Sequence, residues 1–112
     1  MSHKDLSKKA LALHKKLRGK IRITASARIK NAQDLALLYT PGVGAVSRHL
    51  AEKPQEAPLY TQKGGMIAVI SDGSAVLGLG NLGPAAALPV MEGKAALFKR
   101  FGGVDAWPVV LD

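Results

Sequence analysis

Leu6, Ala10, Leu13 and Leu17 recur at i, i+4, i+7 and i+11, with Lys8, Lys9, Lys15 and Lys16 between them. That spacing predicts an amphipathic helix over residues 4 to 18, closed by Gly19 and carrying one narrow apolar stripe. Ile21, Ile23 and Ala25 then alternate with Arg22, Thr24 and Ser26, the period of a half-exposed strand. Asn31, with Asp34 three residues on, predicts a helix start, and Ala32, Leu35, Ala36 and Tyr39 would line one face before Thr40-Pro41-Gly42 ends it. Val43 to Lys53 predicts another helix, stopped by Pro54, and Gln55 to Gly65 reads as a loop with a Lys63-Gly64-Gly65 turn.

Beyond that loop, Met66 to Ile70 is an apolar run of strand length, and Asp72-Gly73 predicts a hairpin-type turn before a second strand at Ala75 to Leu77. Pro84 and Pro89 both suit first-turn helix positions, so a short helix is expected to break near Pro89 before a longer one from Val90 to Phe101. Gly102-Gly103 would end that helix, and Trp107 to Leu111 reads as a last strand. This order predicts an α/β domain with a small mixed sheet flanked by helices.

Composition narrows the class. A chain of 112 residues with 47% hydrophobic content has room for one small domain, and its mean hydropathy of +0.09 suits a water-soluble one. Cysteine is absent, which rules out disulfides, thiolate metal sites and cysteine nucleophiles and is compatible with a cytoplasmic location. No apolar run approaches the roughly 20 residues of a membrane span, and the N-terminus lacks the apolar core of a secretory signal, so a cytoplasmic protein is expected.

The net charge of +8 is unevenly placed: Met1 to Lys30 hold ten of the 16 basic residues and one acid, Asp5. Nucleic acid is disfavoured as a partner, because aromatics make up 4% of the chain and none precedes Tyr39, leaving no base-stacking surface beside the lysines. The segment reads first as a solvated helix face. Asp5 and the excess of lysine over arginine also weigh against a mitochondrial presequence.

Gly78-Leu79-Gly80-Asn81-Leu82-Gly83 fits the G-x-G-x-x-G spacing of a dinucleotide-binding turn. Such a turn needs a strand running directly into it, an unbroken helix leaving it and an acid about 20 residues further on. Here Ser71-Asp72-Gly73-Ser74 interrupts the approach, Pro89 interrupts the exit, and the acids available, Asp105 and Asp112, are badly placed. The glycines therefore read as turn and packing residues. A further possibility is that backbone amides of Gly80 to Gly83, leading into a helix at Pro84, hold a small carboxylate.

Lys94 is the lysine out of place. At about 100° per residue, Val90, Met91, Leu97, Phe98 and Phe101 all lie within roughly 60° of it on the predicted helix. A lysine there either snorkels its ammonium to the edge or sits in a low-dielectric pocket and serves as a general base. Tyr39, at a helix exit beside a Pro-Gly turn, has the same two readings, packing or proton transfer. Asp72 reads as a turn residue. His49 and Glu52 share a helix face but are too few for a metal site, and no nucleophile triad or carboxylate pair stands out.

The segments LRGKI, LALLYTPGVG, AVISDGSAVLGLGNLGPAAALPVMEGKAALFKRF and VDAWPVVLD, in this order and spacing, resemble the N-terminal domain of bacterial and archaeal malic enzymes. The resemblance runs from about Leu11 to Asp112. It implies oxidative decarboxylation of (S)-malate to pyruvate and CO2 with NAD or NADP and Mg²⁺ or Mn²⁺. It also implies that Lys94, in the E-G-K-A motif, takes the malate hydroxyl proton and that Tyr39, in the Y-T-P-G-V motif, protonates C3 of the enolpyruvate. Larger eukaryotic members carry a substrate-binding arginine where Ala75 stands, so malate's second carboxylate must be held otherwise. Gly80, Asn81 and Gly83 are the substrate-binding candidates for it.

The resemblance places the acidic metal ligands and the true dinucleotide fingerprint after the point where this chain stops. Residues 1–112 are therefore expected to form the substrate and catalytic domain without the NAD(P)-binding domain, to bind neither cofactor nor metal alone, and to be inactive in isolation. A homodimer through the N-terminal helix is the expected assembly. The alternative is a non-catalytic oligomerisation or binding module derived from such an enzyme.

Overall fold

The computed structural model describes residues 1–112. Their contacts fall into two compact units, one formed by Met1–Arg22 with Met66–Asp112 and the other by Ile23–Gly65.

The first unit holds α1 (His3–Leu17), β1 (Met66–Ser71), α5 (Pro84–Leu97) and β2 (Asp105–Val110); the intervening helices belong to the second unit. α1 starts where Ser2 accepts a hydrogen bond from the amide of Asp5, and it carries Asp5 in its first turn and His14, Lys15 and Lys16 in its last. The Asp5 carboxylate at one end and the Lys15 and Lys16 ammonium groups at the other oppose the helix dipole. β1 and β2 pair in parallel, from Met66 opposite Asp105 to Ser71 opposite Val110. Parallel neighbours need a crossover rather than a tight turn, and α5, which packs against both strands, provides it. The α/β class and the small sheet are as expected, but the sheet consists of this one parallel pair and is not mixed, because the expected additional strands do not form. Pro108 fits in β2 because a strand with one open edge can spare a ladder donor.

The core is made of small side chains: Val76, Ala87, Ala95 and Ala106 are the buried apolar residues. Ala87 and Ala95 lie on either side of Pro89, which explains why α5 runs unbroken through that proline instead of splitting there. A mid-helix proline costs about 3 kcal/mol, yet the flanking alanines are the best helix formers and both halves are anchored by burial. Past Leu97 the helix loosens into a π-helical turn, Phe98–Gly102, rather than continuing in α form to Phe101.

Two expected strands are absent. Ala75 to Leu77 lies in a compact loop in which the Val76 amide donates to the Gly80 carbonyl at 2.9 Å and Leu77 takes a φ of +50°, so no hairpin forms after Asp72-Gly73. Residues 21–25 stay irregular because β1 pairs only with β2 and offers them no ladder.

The second unit contains α2 (Ala32–Leu38), α3 (Val43–Glu52) and α4 (Ala57–Tyr60). Asn31 caps α2 by accepting from the Asp34 amide at 2.8 Å, while the Asp34 carboxylate accepts from the Lys30 amide at 2.9 Å. The stretch expected as loop is instead a chain of short helical turns, Pro54–Glu56, α4 and Gln62–Gly64. Pro54 and Pro58 sit in first-turn positions, so Pro54, expected to stop α3, also starts the turn that follows. No helix in the chain is long and apolar enough to cross a membrane.

The loop from β1 to α5 is closed by the Gly73 carbonyl, which accepts from the amides of both Leu82 (3.2 Å) and Gly83 (3.1 Å). Gly73 has φ +73°, and a Cβ there would collide with the Gly83 carbonyl, whereas a Cβ on Gly78 would meet open space. Gly73→Ala is therefore expected to destabilise the chain by at least about 2 kcal/mol, against about 1 kcal/mol for Gly78→Ala. Equal urea midpoints for the two variants would contradict this assignment.

Candidate functional site

Tyr39 belongs to the second unit and ends α2. Its carbonyl accepts from the Val43 amide at 2.7 Å, and the Gly42 amide donates to the Ala36 carbonyl at 2.8 Å. A Cβ at Gly42 would press on the Ala36 and Leu37 carbonyls, so the two helices join this tightly only with glycine there. The Pro-Gly pair thus presents the tyrosine at the helix exit, as the sequence suggests, with its side chain 64% exposed rather than packed in a core.

Lys94 lies in the first unit, near the C-terminal end of α5. It borders an open groove of about 410 Å³ with Leu97, Phe98, Phe101 and Gly102. Three of the apolar neighbours expected from helix periodicity are therefore beside it, while Val90 and Met91 are not among the groove residues. The burial that a low-dielectric pocket would need is missing: Lys94 is exposed, and Phe101 is 82% exposed. The uncovered rim consists of the π-helical turn, whose aromatic side chains find no second layer within this unit.

Of the three substrate-binding candidates, Gly83 has its amide committed to the Gly73 carbonyl, as does neighbouring Leu82. Gly83 also adopts φ +84°, ψ 174°, a conformation open essentially to glycine alone. Its role is to turn the chain into α5. Gly80 and Asn81 lie on the exposed part of the loop. The same commitment of amides leaves no continuous cradle for a pyrophosphate, and six residues separate β1 from the first glycine of the run. No trio of His, Cys, Asp or Glu side chains is grouped to hold a metal ion.

The remaining polar residues form local structures. Asp72 accepts from the Ser74 amide at 2.9 Å, the turn role expected of it. His49 pairs not with Glu52, one turn away on α3, but with Glu56 at 2.6 Å, because the chain reverses at Pro54 and brings Glu56 back. The Tyr60 ring lies tilted against His49, with centroids 5.0 Å apart. A cluster that sequence reading missed joins Lys20, His14, Pro89 and Glu92. Lys20 stands 69 and 72 residues from Pro89 and Glu92 along the chain, beyond any periodic signal.

The family model for the malic enzyme N-terminal domain matches residues 18–112. The chain belongs to the malic enzyme family. It is 52% identical over 108 residues to the bifunctional malic/malolactic enzyme of Bacillus subtilis, covering 96% of this chain and 26% of that protein. The NADP-dependent malic enzyme of Halomonas elongata is 53% identical over 104 residues, 92% of this chain and 25% of the relative. Among solved structures, the NAD-dependent malic enzyme of Thermotoga maritima superposes with a TM-score of 0.86 at 53% identity, over 92% of this chain and 29% of that one. The Entamoeba histolytica malic enzyme gives 0.87 at 36% identity, over 96% and 22%. The chain thus spans about a quarter of the length of these relatives.

Asp72 offers a pH test of the loop that leads to the glycines. Hydrogen bonds from the Ser74 hydroxyl and amide hold its carboxyl below the usual carboxylate pKa. Its stabilising contribution is therefore present above about pH 4 and is lost as pH falls through the lowered folded-state value. The stability difference between the parent and Asp72→Asn should shrink on acidification below about pH 4; a difference constant with pH in denaturant titrations would refute it.

Proposed function

We propose that this chain is the substrate-side segment of an enzyme that oxidatively decarboxylates (S)-malate to pyruvate and CO2, with Lys94 and Tyr39 as its proton-transfer residues. The observation that carries this reading is the Lys94 groove: an exposed ammonium bordered by Leu97, Phe98 and Phe101, in a domain of the malic enzyme family.

Neither a dinucleotide nor a divalent ion fits the residues present here, given the spent amides of Leu82 and Gly83 and the lack of a grouped ligand set. NAD(P) and Mg²⁺ or Mn²⁺ would be held by a nucleotide-binding domain outside residues 1–112. The roles of this chain are two proton movements. Lys94 takes the proton of the malate C2 hydroxyl on an amine whose flexible stem lets it reach the substrate. Tyr39 donates its phenolic proton to C3 of the enolpyruvate, and its exposed ring at a rigid helix exit is free to reach a substrate. Gly80 and Asn81, on the exposed loop, are the remaining candidates to hold a carboxylate of malate.

The test is a chimera in which residues 1–112 replace the matching segment of the Halomonas elongata enzyme. Malate-dependent reduction of NADP is expected from the chimera and not from the 112-residue chain alone. Lys94→Met and Tyr39→Phe should each lower kcat by about 10²- to 10⁴-fold. Retention of full activity by either variant would remove that residue from the mechanism.

The N-terminal helix supports a second, compatible role in self-association. None of its residues is buried, and Leu6, Leu13 and Leu17 are 54%, 53% and 40% exposed along one stripe. A homodimer through this stripe is expected to fall apart in Leu13→Asp, read as a halved mass in analytical ultracentrifugation; an unchanged mass would place the contact elsewhere.

A further inference from the structure

Lys20 is held at both ends against one turn of α5. Its backbone amide donates to Glu92 Oε2 at 3.0 Å, and its ammonium donates to the Pro89 carbonyl at 2.7 Å. The ammonium lies beside Gly93, where a Cβ would be 3.8 Å from Nζ. The ammonium also lies 2.7 Å from His14 Nε2, while His14 Nδ1 lies 2.7 Å from the Ala10 carbonyl.

These contacts fix the state of the imidazole. A carbonyl can only accept, so Nδ1 must carry the hydrogen; the ammonium can only donate, so Nε2 must present its lone pair. His14 is therefore neutral and in its Nδ1–H tautomer, and it acts as the second acceptor that aims the lysine.

Pro89 has no amide hydrogen to give to the Ala85 carbonyl four residues back, so α5 lacks a rung just before the clamped turn, and the clamp grips the turn that directly follows that gap. Lys94 follows directly after Gly93. We propose that Lys20 is a positioning residue: by bridging Glu92, Pro89 and His14 it fixes the proline turn of α5 and hence the direction in which Lys94 leaves the helix. The inference rests on the reading of Lys94 as the proton acceptor.

Two experiments test it. In the labelled 112-residue chain, nitrogen NMR should show His14 in the Nδ1–H form, and Lys20→Met should abolish that preference and speed hydrogen exchange at the Gly93 and Lys94 amides by about tenfold. In the chimera, Lys20→Met should lower kcat by about tenfold while leaving KM within about twofold, and Lys20→Arg should recover most of the loss. Lys20→Gln takes the place of Lys20→Met if that variant does not fold, with the same expected effects. An unchanged kcat in Lys20→Met, with Lys94→Met inactive, overturns the positioning role and leaves Lys94 in place. A loss of folded protein with unaltered kcat per folded molecule overturns it equally. Activity retained by Lys94→Met overturns the reading of Lys94 and the positioning role with it.

Discussion

The first unit depends on one carbonyl. Gly73 C=O draws in the amides of Leu82 and Gly83, and this double acceptance ties the exit of β1 to the entrance of α5. With the strand and helix joined there, α5 can lie back across the parallel pair, and its C-terminal end delivers the chain into β2 in register. The approach is so close that no side chain fits at residue 73. A run of glycines that looks like a nucleotide motif is thus explained in part by a backbone fastening, with Gly83 supplying the turn and Gly80 and Asn81 left on the outside.

Much of the helical architecture was legible in the sequence because local signals decide it. The stripe of α1, the Asn31 cap and the Gly42 junction each act over one or two turns, and the structure reproduces them. β1 and β2 were legible as apolar runs of strand length. The failures share a cause: where the outcome depends on a distant partner, pattern alone misleads. Ile21 to Ala25 alternates like a strand yet has no ladder to join. Ala75 to Leu77 is apolar enough for a strand but spends its hydrogen bonds within the loop. Pro89 breaks isolated helices, and only the burial of Ala87 and Ala95 on its two sides shows why this one survives.

The candidate site was legible to a different extent. Tyr39 and Lys94 stood out by position, and the groove beside Lys94 contains the aromatic side chains that periodicity placed there. Its depth was not predictable, since burial is a property of what covers a helix rather than of its own spacing. Each residue is carried by its own compact unit, so the chemistry proposed for the pair draws on two separately built supports. The Lys20 cluster could not have been found from spacing, because it joins Lys20 to residues 69 and 72 positions away in the chain.

The alanine-built core has a practical corollary. Where Ala87, Ala95 and Ala106 already form the contact, replacing residues by alanine leaves the interface untouched, and a conventional truncation scan would report it as energetically silent. The information lies in the opposite direction. Only enlargement, which forces helix and sheet apart, makes such a seam visible, and tolerance of bulk rather than loss of contact is the quantity by which this domain's packing should be judged.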